Sequence, residues 1–433
     1  MNRKVTLLYI SLACVLSMQA QTRQQMGGVY YAYPEGPSAK TGTFGTTTYV
    51  MSDSLNVPQG YAPFYISHYG RHGSRWMPKD DRYVWICKHF EDENNLTPLG
   101  LQVKGMLQRV WENAKGNGGR LSKLGALQHQ GIAHRMFERY PQIFAAGNAV
   151  KARSSVVDRC AKSMQAFTSE LHSLQPGLNL DVKTDSADMA WIAYVSPEVK
   201  ALENRTHVQA QVSPRRFLLQ LFKDVSKVDE PLKLMTEMHT VASSIQDVGL
   251  NFSSYPQDIE DGLNALFTDD EFRAIYEANN LRMAINNGTV ATNEDIPARS
   301  AISLWQNIEA EADRALRSVK SSATLRFGHD TALYRLLSLL FDVNVPPAGA
   351  REEASLVVLG DETEKMDRVV PMAANLQMIF YKNAKDSVLV KFMLNERDVM
   401  LSPVGQVIYG THYYSWNAWK QEMHERIHRL EHI

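Results

Sequence analysis

Apolar and polar positions follow two different periods along this chain, and the change of period divides it. Residues 62–69, "APFYISHY", form a short apolar run that reads as a buried strand, after a polar, Gly/Thr-rich entry, "GPSAKTGTFGTTTY". From 97 to 140 the spacing is helical in two pieces, "LTPLGLQVKGMLQRVWENA" and "LSKLGALQHQGIAHRMFERYP", parted by the breaker "KGNGG". A second short strand, "AVKARSS", leads into "VVDRCAKSMQAFTSELHSL", where Val157, Ala161, Met164, Phe167 and Leu171 recur at helical spacing.

From about residue 196 to 320 the strand signal fades. "FLLQLFKDV", "LKLMTEMHTVASSI", "LFTDDEFRAIYEANNLRMAI" and "SAISLWQNIEAEADRALRSV" read as amphipathic helices, and Thr268 with Glu271 ahead of Phe272 fits a capping box. Strands and helices then alternate again: "ATLRFGHD" runs into "TALYRLLSLLF", followed by strand candidates "ANLQMIFYKN" and "SVLVKFML". One α/β unit interrupted by a helical insertion explains this order better than three independent domains. The expected division is an export signal over 1–20, a first part of an α/β core over 21–195, a helical cap insertion over 196–320, and the second part of the core with a C-terminal helix over 321–433.

Composition narrows the partners. The 433 residues are 44% hydrophobic and 21% charged, ordinary for a globular protein with a sizeable core. Lys and Arg number 46 against 47 Asp and Glu, which argues against nucleic-acid or membrane-surface binding by bulk charge. An anionic ligand must therefore be held by a local cluster. The N-terminus, "MNRK" and then "VTLLYISLACVLSM" before "QA", reads as a secretory signal with cleavage after Ala20; the apolar run is short for a membrane span. That leaves Cys87 and Cys160, which either pair in an oxidising compartment or stay as separate thiols; no CxxC is present.

Local clusters exist in three places. "YISHYGRHGSRW" puts His68, Arg71, His72 and Arg75, with Gly70 and Gly73, at the end of the first strand. Ligands of open α/β sheets sit beyond the carboxyl ends of strands. Arginine forks match phosphate oxygens, glycines let the backbone approach closely, and a neutral imidazole among arginines can attack phosphorus. The bland reading is a solvated basic loop. "KARSSVVDRC" repeats the arrangement, bringing Arg159 to a helix start, where most arginines are plain surface cations. In "ATLRFGHDTALYRLLSLL", His329 and Asp330 follow an apolar strand and open a helix. A carboxyl there can protonate a leaving oxygen and later activate water, although an Asp helix cap is the simpler explanation of that stretch alone.

Taken together, the three stretches resemble the histidine acid phosphatases, the branch that contains acid phosphatases and phytases. That family carries RHG-x-R after a strand, and its "LT..G..QH..LG..LR.RY" helix is similar to "LSKLGALQHQGIAHRMFERY" here. Its "RST..DRT..SA.AF" is similar to "RSSVVDRCAKSMQAF", its "GHD" is matched by Gly328, His329 and Asp330, and its "PFASELVFELW" resembles "PMAANLQMIFYKN". The resemblance covers about 60–190 and 320–415 and leaves the helical insertion largely uncovered. It implies a Rossmann-like, phosphoglycerate-mutase-like three-layer α/β core with an inserted helical cap. It implies His72 as nucleophile, Arg71, Arg75, Arg159 and His329 as phosphate-binding residues, and Asp330 as proton donor, with no metal and no cofactor. The expected partner is a small phosphomonoester, with inositol phosphates as one class, in a periplasmic or extracellular setting.

Two departures matter. The family usually has proline two residues after the second arginine, whereas Pro78 stands three after Arg75. The late motif is His-Asp, where animal-type inositol polyphosphate phosphatases typically carry His-Ala-Glu, which leans towards a general acid phosphatase or a His-Asp phytase. Lys79, Arg82 and Lys88 are the cations nearest in sequence that a phytate leaving group would call for. A different class is spelled by His424-Glu425-Arg426-Ile427-His428, a literal H-E-x-x-H zinc-peptidase motif in a polar terminal helix; it is the remote alternative. A phosphoryl-passing mutase and a binding protein with a dead pocket are the other readings. The second of these expects a replaced pocket residue, and all six are present.

Overall fold

The run expected as the first buried strand is the middle of a large sheet. The computed structural model describes residues 22–33, 41–44, 47–50, 57–250, 252, 262–288, 290–318, 320–340, 366–399, 407–408 and 413–432. The expected export signal lies outside them. A hairpin of β1 (Thr41–Phe44) and β2 (Thr47–Val50) comes first, in the stretch read only as a polar entry. β3 (Tyr61–Arg71) follows, then β4 (Ala149–Ser154), β5 (Asn179–Thr184) and β6 (Ser321–Gly328). Last come β7 (Asn375–Asn383), β8 (Val388–Leu394), β9 (Arg397–Val399), β10 (Val407–Ile408) and β11 (Tyr413–Ser415). The sheet order is β10-β11-β8-β7-β3-β6-β4-β5, with β9 on β8. Strands β3, β6, β4 and β5 run parallel, and β7, β8 and β11 continue antiparallel on the other side of β3.

β5 was not expected from sequence. It is the outer edge strand, and most of its residues are exposed, so no apolar run marks it. The central strands are covered on both faces and read as apolar runs for that reason.

Helices close the faces. α1 (Asp81–Lys88), α2 (Pro98–Ala114), α3 (Lys123–Arg139) and α4 (Asp158–Leu174) precede the short α5 (Met189–Ile192), α6 (Pro197–Arg205) and α7 (Arg215–Leu219). α8 (Pro231–Ser244), α9 (Asp269–Asn287), α10 (Ile296–Ser300) and α11 (Ile302–Leu316) come next, then α12 (Asp330–Leu340), α13 (Met366–Val369) and α14 (Trp416–Glu431). The period of two along β3 splits its side chains between the layers. Tyr65 and Tyr69 pack with Trp305, Leu333, Leu336 and Trp416 from α11, α12 and α14. Ile66 packs with Ile132, Met164 and Phe167 from α3 and α4. The result is the three-layer α/β core.

A separate helical cluster joins Val103 and Met106 of α2 to Phe217, Leu234, Met238, Phe272 and Ile275 of α7, α8 and α9. α1 and α2, from before residue 196, share this cluster, whereas Trp305 and Ile308 of α11 pack on the sheet. The capping box starts α9 as expected: Glu271 N–H donates to Thr268 Oγ1 at 3.2 Å, and Thr268 N–H to Glu271 Oε2 at 2.9 Å.

One consequence of the topology governs the rest. β3, β6 and β4 are adjacent and parallel, so their C-terminal ends open on one edge. Arg71 lies opposite Gly328, and Ser154 opposite Phe327.

Candidate active site

The three sequence clusters follow those three strand ends and therefore meet. The His72 ring sits edge-on to the His329 ring, with centroids 5.8 Å apart. Arg71 is fully buried; Nη1 donates to the carbonyls of Val29 and Val370, each at 2.7 Å, and Nη2 lies 3.1 Å from Asp330 Oδ2. Arg75 donates to the Trp76 carbonyl at 2.9 Å and lies over the Tyr30 ring. Arg159 Nη2 reaches to 3.5 Å from His329 Nδ1, and His329 Nε2 lies 3.1 Å from Ser155 Oγ. His72, Asp330, Arg71, Arg75, Arg159 and His329 thus occupy one site.

Its electrostatics favour a neutral His72 ring. Burial holds the His72 ring well below the usual histidine range, and Arg71, Arg75, Arg159 and His329 push the same way. Nδ1 of His72 is 2.9 Å from the Gly73 carbonyl. A carbonyl only accepts, so Nδ1 carries the proton and Nε2 keeps its lone pair. His329 is pushed down to about 4, by burial and then by Arg159. Burial would raise the Asp330 carboxyl, but Arg71 and Arg75 outweigh it, and the net shift is downward. Asp330 is therefore held as a carboxylate.

The loop that carries His72 is held by α3 and α4. A Cβ on Gly73 would lie 2.3 Å from the Gly125 carbonyl oxygen, and one on Gly125 would lie 2.2 Å from the Ser74 carbonyl oxygen. Glycine at both positions lets loop and helix touch backbone to backbone. Ser122, the N-cap of α3, donates to the Ser74 carbonyl at 3.0 Å, Gln128 accepts the Ser74 N–H at 2.9 Å, and Ser163 of α4 accepts the Gly73 N–H at 3.1 Å. These contacts give a physical role to the "LSKLGALQHQ" segment, which sequence similarity marked without explaining. Sequence reasoning also missed Asp247, a buried carboxyl whose Oδ1 accepts from Ser74 Oγ at 2.6 Å; nothing in its own stretch signals this. His68 lies outside the chemistry, a buried ring 5.4 and 5.3 Å from those of Phe167 and Phe327.

A cleft leads from Asp330 under the helical layer, lined by Tyr30, Arg82, Thr240, Arg282 and Thr331 among others. Of the cations near the motif, Arg82 lines this cleft, whereas Lys88 borders a different hollow. Arg82 also pairs with Glu237 of α8. Cys87 and Cys160 are both free thiols; Cys160, buried under the site, donates to the Gly328 carbonyl at 3.2 Å. In the H-E-x-x-H segment, His424 bonds to Glu309 at 2.8 Å and the His428 ring stacks on His432. Among the described residues, no group of three or more His, Cys, Asp or Glu side chains is placed to hold a metal ion.

Comparison with known proteins bears on the fold. No protein-family model matches the chain. It is 24% identical over 306 residues to multiple inositol polyphosphate phosphatase 1 of the chicken, Gallus gallus, a match that spans 67% of this chain and 66% of that relative's length. The Bifidobacterium longum multiple inositol polyphosphate phosphatase, solved with inositol hexasulfate, superimposes with a TM-score of 0.68 at 16% identity, over 92% of this chain and 97% of that one. The phytase from D. castellii gives 0.63 at 12% identity, over 94% and 85%. The chain thus shares the fold of these phosphatases and phytases, and the motifs that resemble the histidine acid phosphatases meet at one edge of its sheet.

Proposed function

We propose that this chain hydrolyses phosphomonoesters through a phosphohistidine formed on His72. Nε2 attacks phosphorus, and the N–P bond forms as the P–O bond to the leaving group breaks. Arg71, Arg75, Arg159 and His329 hold the non-bridging oxygens and take up the charge that develops on them. Asp330 hands its proton to the leaving oxygen, then takes one from the water that attacks the phosphohistidine and releases phosphate. The Asp330 carboxylate takes that proton from solvent when the bound phosphate draws Arg71 and Arg75 to itself and lifts their hold on it.

The observation that carries this reading is a buried, neutral imidazole with its Nε2 lone pair beside the guanidiniums. Rapid quenching with ³²P-labelled p-nitrophenyl phosphate tests it. An acid-labile, base-stable phosphoenzyme in the His72 peptide is expected; a steady turnover with no such species discards the covalent route.

Inositol polyphosphates are a second substrate reading, supported by Arg82 and Arg282 beside the cleft and by the names of the relatives. Those cations suit a ligand carrying phosphates beyond the one transferred. Export belongs to the same proposal, resting on the basic start and apolar run of residues 1–20. So does the division into an α/β catalytic core and a helical cap over the cleft.

A further inference from the structure

The phosphoryl transfer described above uses one carboxyl, yet a second is buried against the same loop. Asp247 is fully buried in the short turn Ile245–Val248 that follows α8. Ser74, in the middle of the Gly-Ser-Arg segment after His72, donates its hydroxyl proton to Asp247 Oδ1 at 2.6 Å. The same hydroxyl accepts from Gln128 Nε2 at 3.0 Å, and Gln128 Oε1 accepts the Ser74 N–H. Ser74 is therefore tied to the helical layer on one side and to α3 on the other. The second oxygen of Asp247 is buried with no hydrogen-bond partner among the described residues. Arg75 and then Arg71 are the charged groups that act on it; α8 and α3, packed against its turn, add none among the described residues.

We propose that Asp247 is a positioning residue for the phosphate clamp. It anchors the loop through Ser74, and its charge sets how strongly Arg71 and Arg75 attract phosphate. The inference rests on the phosphatase reading above. Burial pushes the carboxyl up to about 8, against the pull of the Ser74 hydrogen bond and both arginines. Below that range Asp247 is a neutral acid and the guanidiniums attract phosphate fully. Above it, the carboxylate competes for the same guanidiniums, so phosphate binding weakens. The helical layer thus contributes the charge that limits the clamp on the alkaline side.

Calorimetry of inorganic phosphate binding to the full chain tests this, because binding is read without turnover. Asp247→Asn keeps the shape and the acceptor for Ser74 but removes the charge. The loss of affinity between about pH 5.5 and about pH 9 should shrink roughly three- to tenfold relative to the natural protein, as expected for one charge near two guanidiniums. Ser74→Ala removes the donor that favours the carboxylate, so the midpoint of the weakening should move to higher pH. An unchanged affinity ratio in Asp247→Asn, or an unmoved midpoint in Ser74→Ala, overturns the proposal. Absence of phosphate binding in all three proteins at both pH values overturns the phosphatase reading, and this inference with it.

Discussion

Arg71 Nη2 stands 3.1 Å from Asp330 Oδ2, which joins the proposed phosphate clamp to the proposed proton donor in one ion pair. The register explains the meeting: Arg71 ends β3 directly opposite Gly328, and Asp330 opens the helix two residues further on. Whatever binds the guanidinium also changes the carboxyl. Asp330→Asn should therefore slow alkyl phosphates by roughly a hundredfold or more and p-nitrophenyl phosphate by less than about tenfold, because only the poorer leaving group needs the proton. Steady-state kcat on both substrates decides it; equal losses would remove Asp330 from the acid role.

His72→Ala should lower kcat by at least about a thousandfold on any phosphomonoester, since it removes the proposed attacking nitrogen. Prolonged treatment with EDTA should leave the natural protein's rate unchanged. Phosphate release measured on both samples checks this. Full activity without His72, or loss on chelation, would demand another mechanism.

The contact between loop and α3 should tolerate no side chain. Gly125→Ala would press a methyl group against the Ser74 carbonyl, 2.2 Å away, and against Ser74 N at 2.8 Å. Both obstacles are backbone atoms, so relief requires moving the loop that carries His72. We expect a loss of about 1–3 kcal/mol in urea unfolding together with a fall in kcat. Natural stability and rate in this variant would show that the loop adapts freely.

Three buried rings make the protein acid-sensitive. His68, His129 and His239 are each pushed down to about 3, chiefly by burial. The unfolded chain binds protons on these rings from about pH 6.5 downwards, whereas the folded chain does not until about pH 3. The unfolded state thus holds more protons across that window, and stability falls as pH drops through it, by about 1.4 kcal/mol per pH unit for each ring. Urea titrations at about pH 6.5 and about pH 4.5 should show a smaller fall in His68→Leu, by up to roughly 3 kcal/mol. The same fall in both proteins would mean that His68 is already charged in the fold.

Substrate choice should depend on the cleft cations. Arg82→Ala and Arg282→Ala should raise KM for inositol hexakisphosphate by roughly tenfold while changing KM for p-nitrophenyl phosphate little, as charge-assisted contacts to distant phosphates would predict. Arg82 pairs with Glu237, so its contact with a ligand competes with that pair. Parallel changes on both substrates would argue that the cleft does not read additional phosphates.

Much of this protein is legible along its own chain. The apolar runs that became β3, β6, β7 and β8 are visible because those strands are covered on both faces, and the helical periods of α2, α3, α4, α9 and α12 are visible because one side of each is buried. β5, mostly exposed at the sheet edge, carried no such pattern. Arg71, His72, Arg75, Arg159, His329 and Asp330 could be singled out because arginines, histidines and a carboxylate clustered just after strands are unusual enough to invite chemistry. Asp247, Gln128 and Ser163 could not, since each acts only through a backbone or hydroxyl group of a loop distant in sequence.

The sequence by itself determined the kinds of groups available, a nucleophilic imidazole, guanidiniums and a carboxyl, and their placement at strand ends. Only the tertiary structure decided that β3, β6 and β4 lie side by side and parallel, which brings those ends together. It also decided the charge states. His72 is neutral because burial and converging guanidiniums make its protonated form costly, and Asp330 is ionised because Arg71 and Arg75 outweigh its burial. Residue identity carries a reference pKa, but the shift depends on what is nearby in space, and those neighbours come from distant parts of the chain.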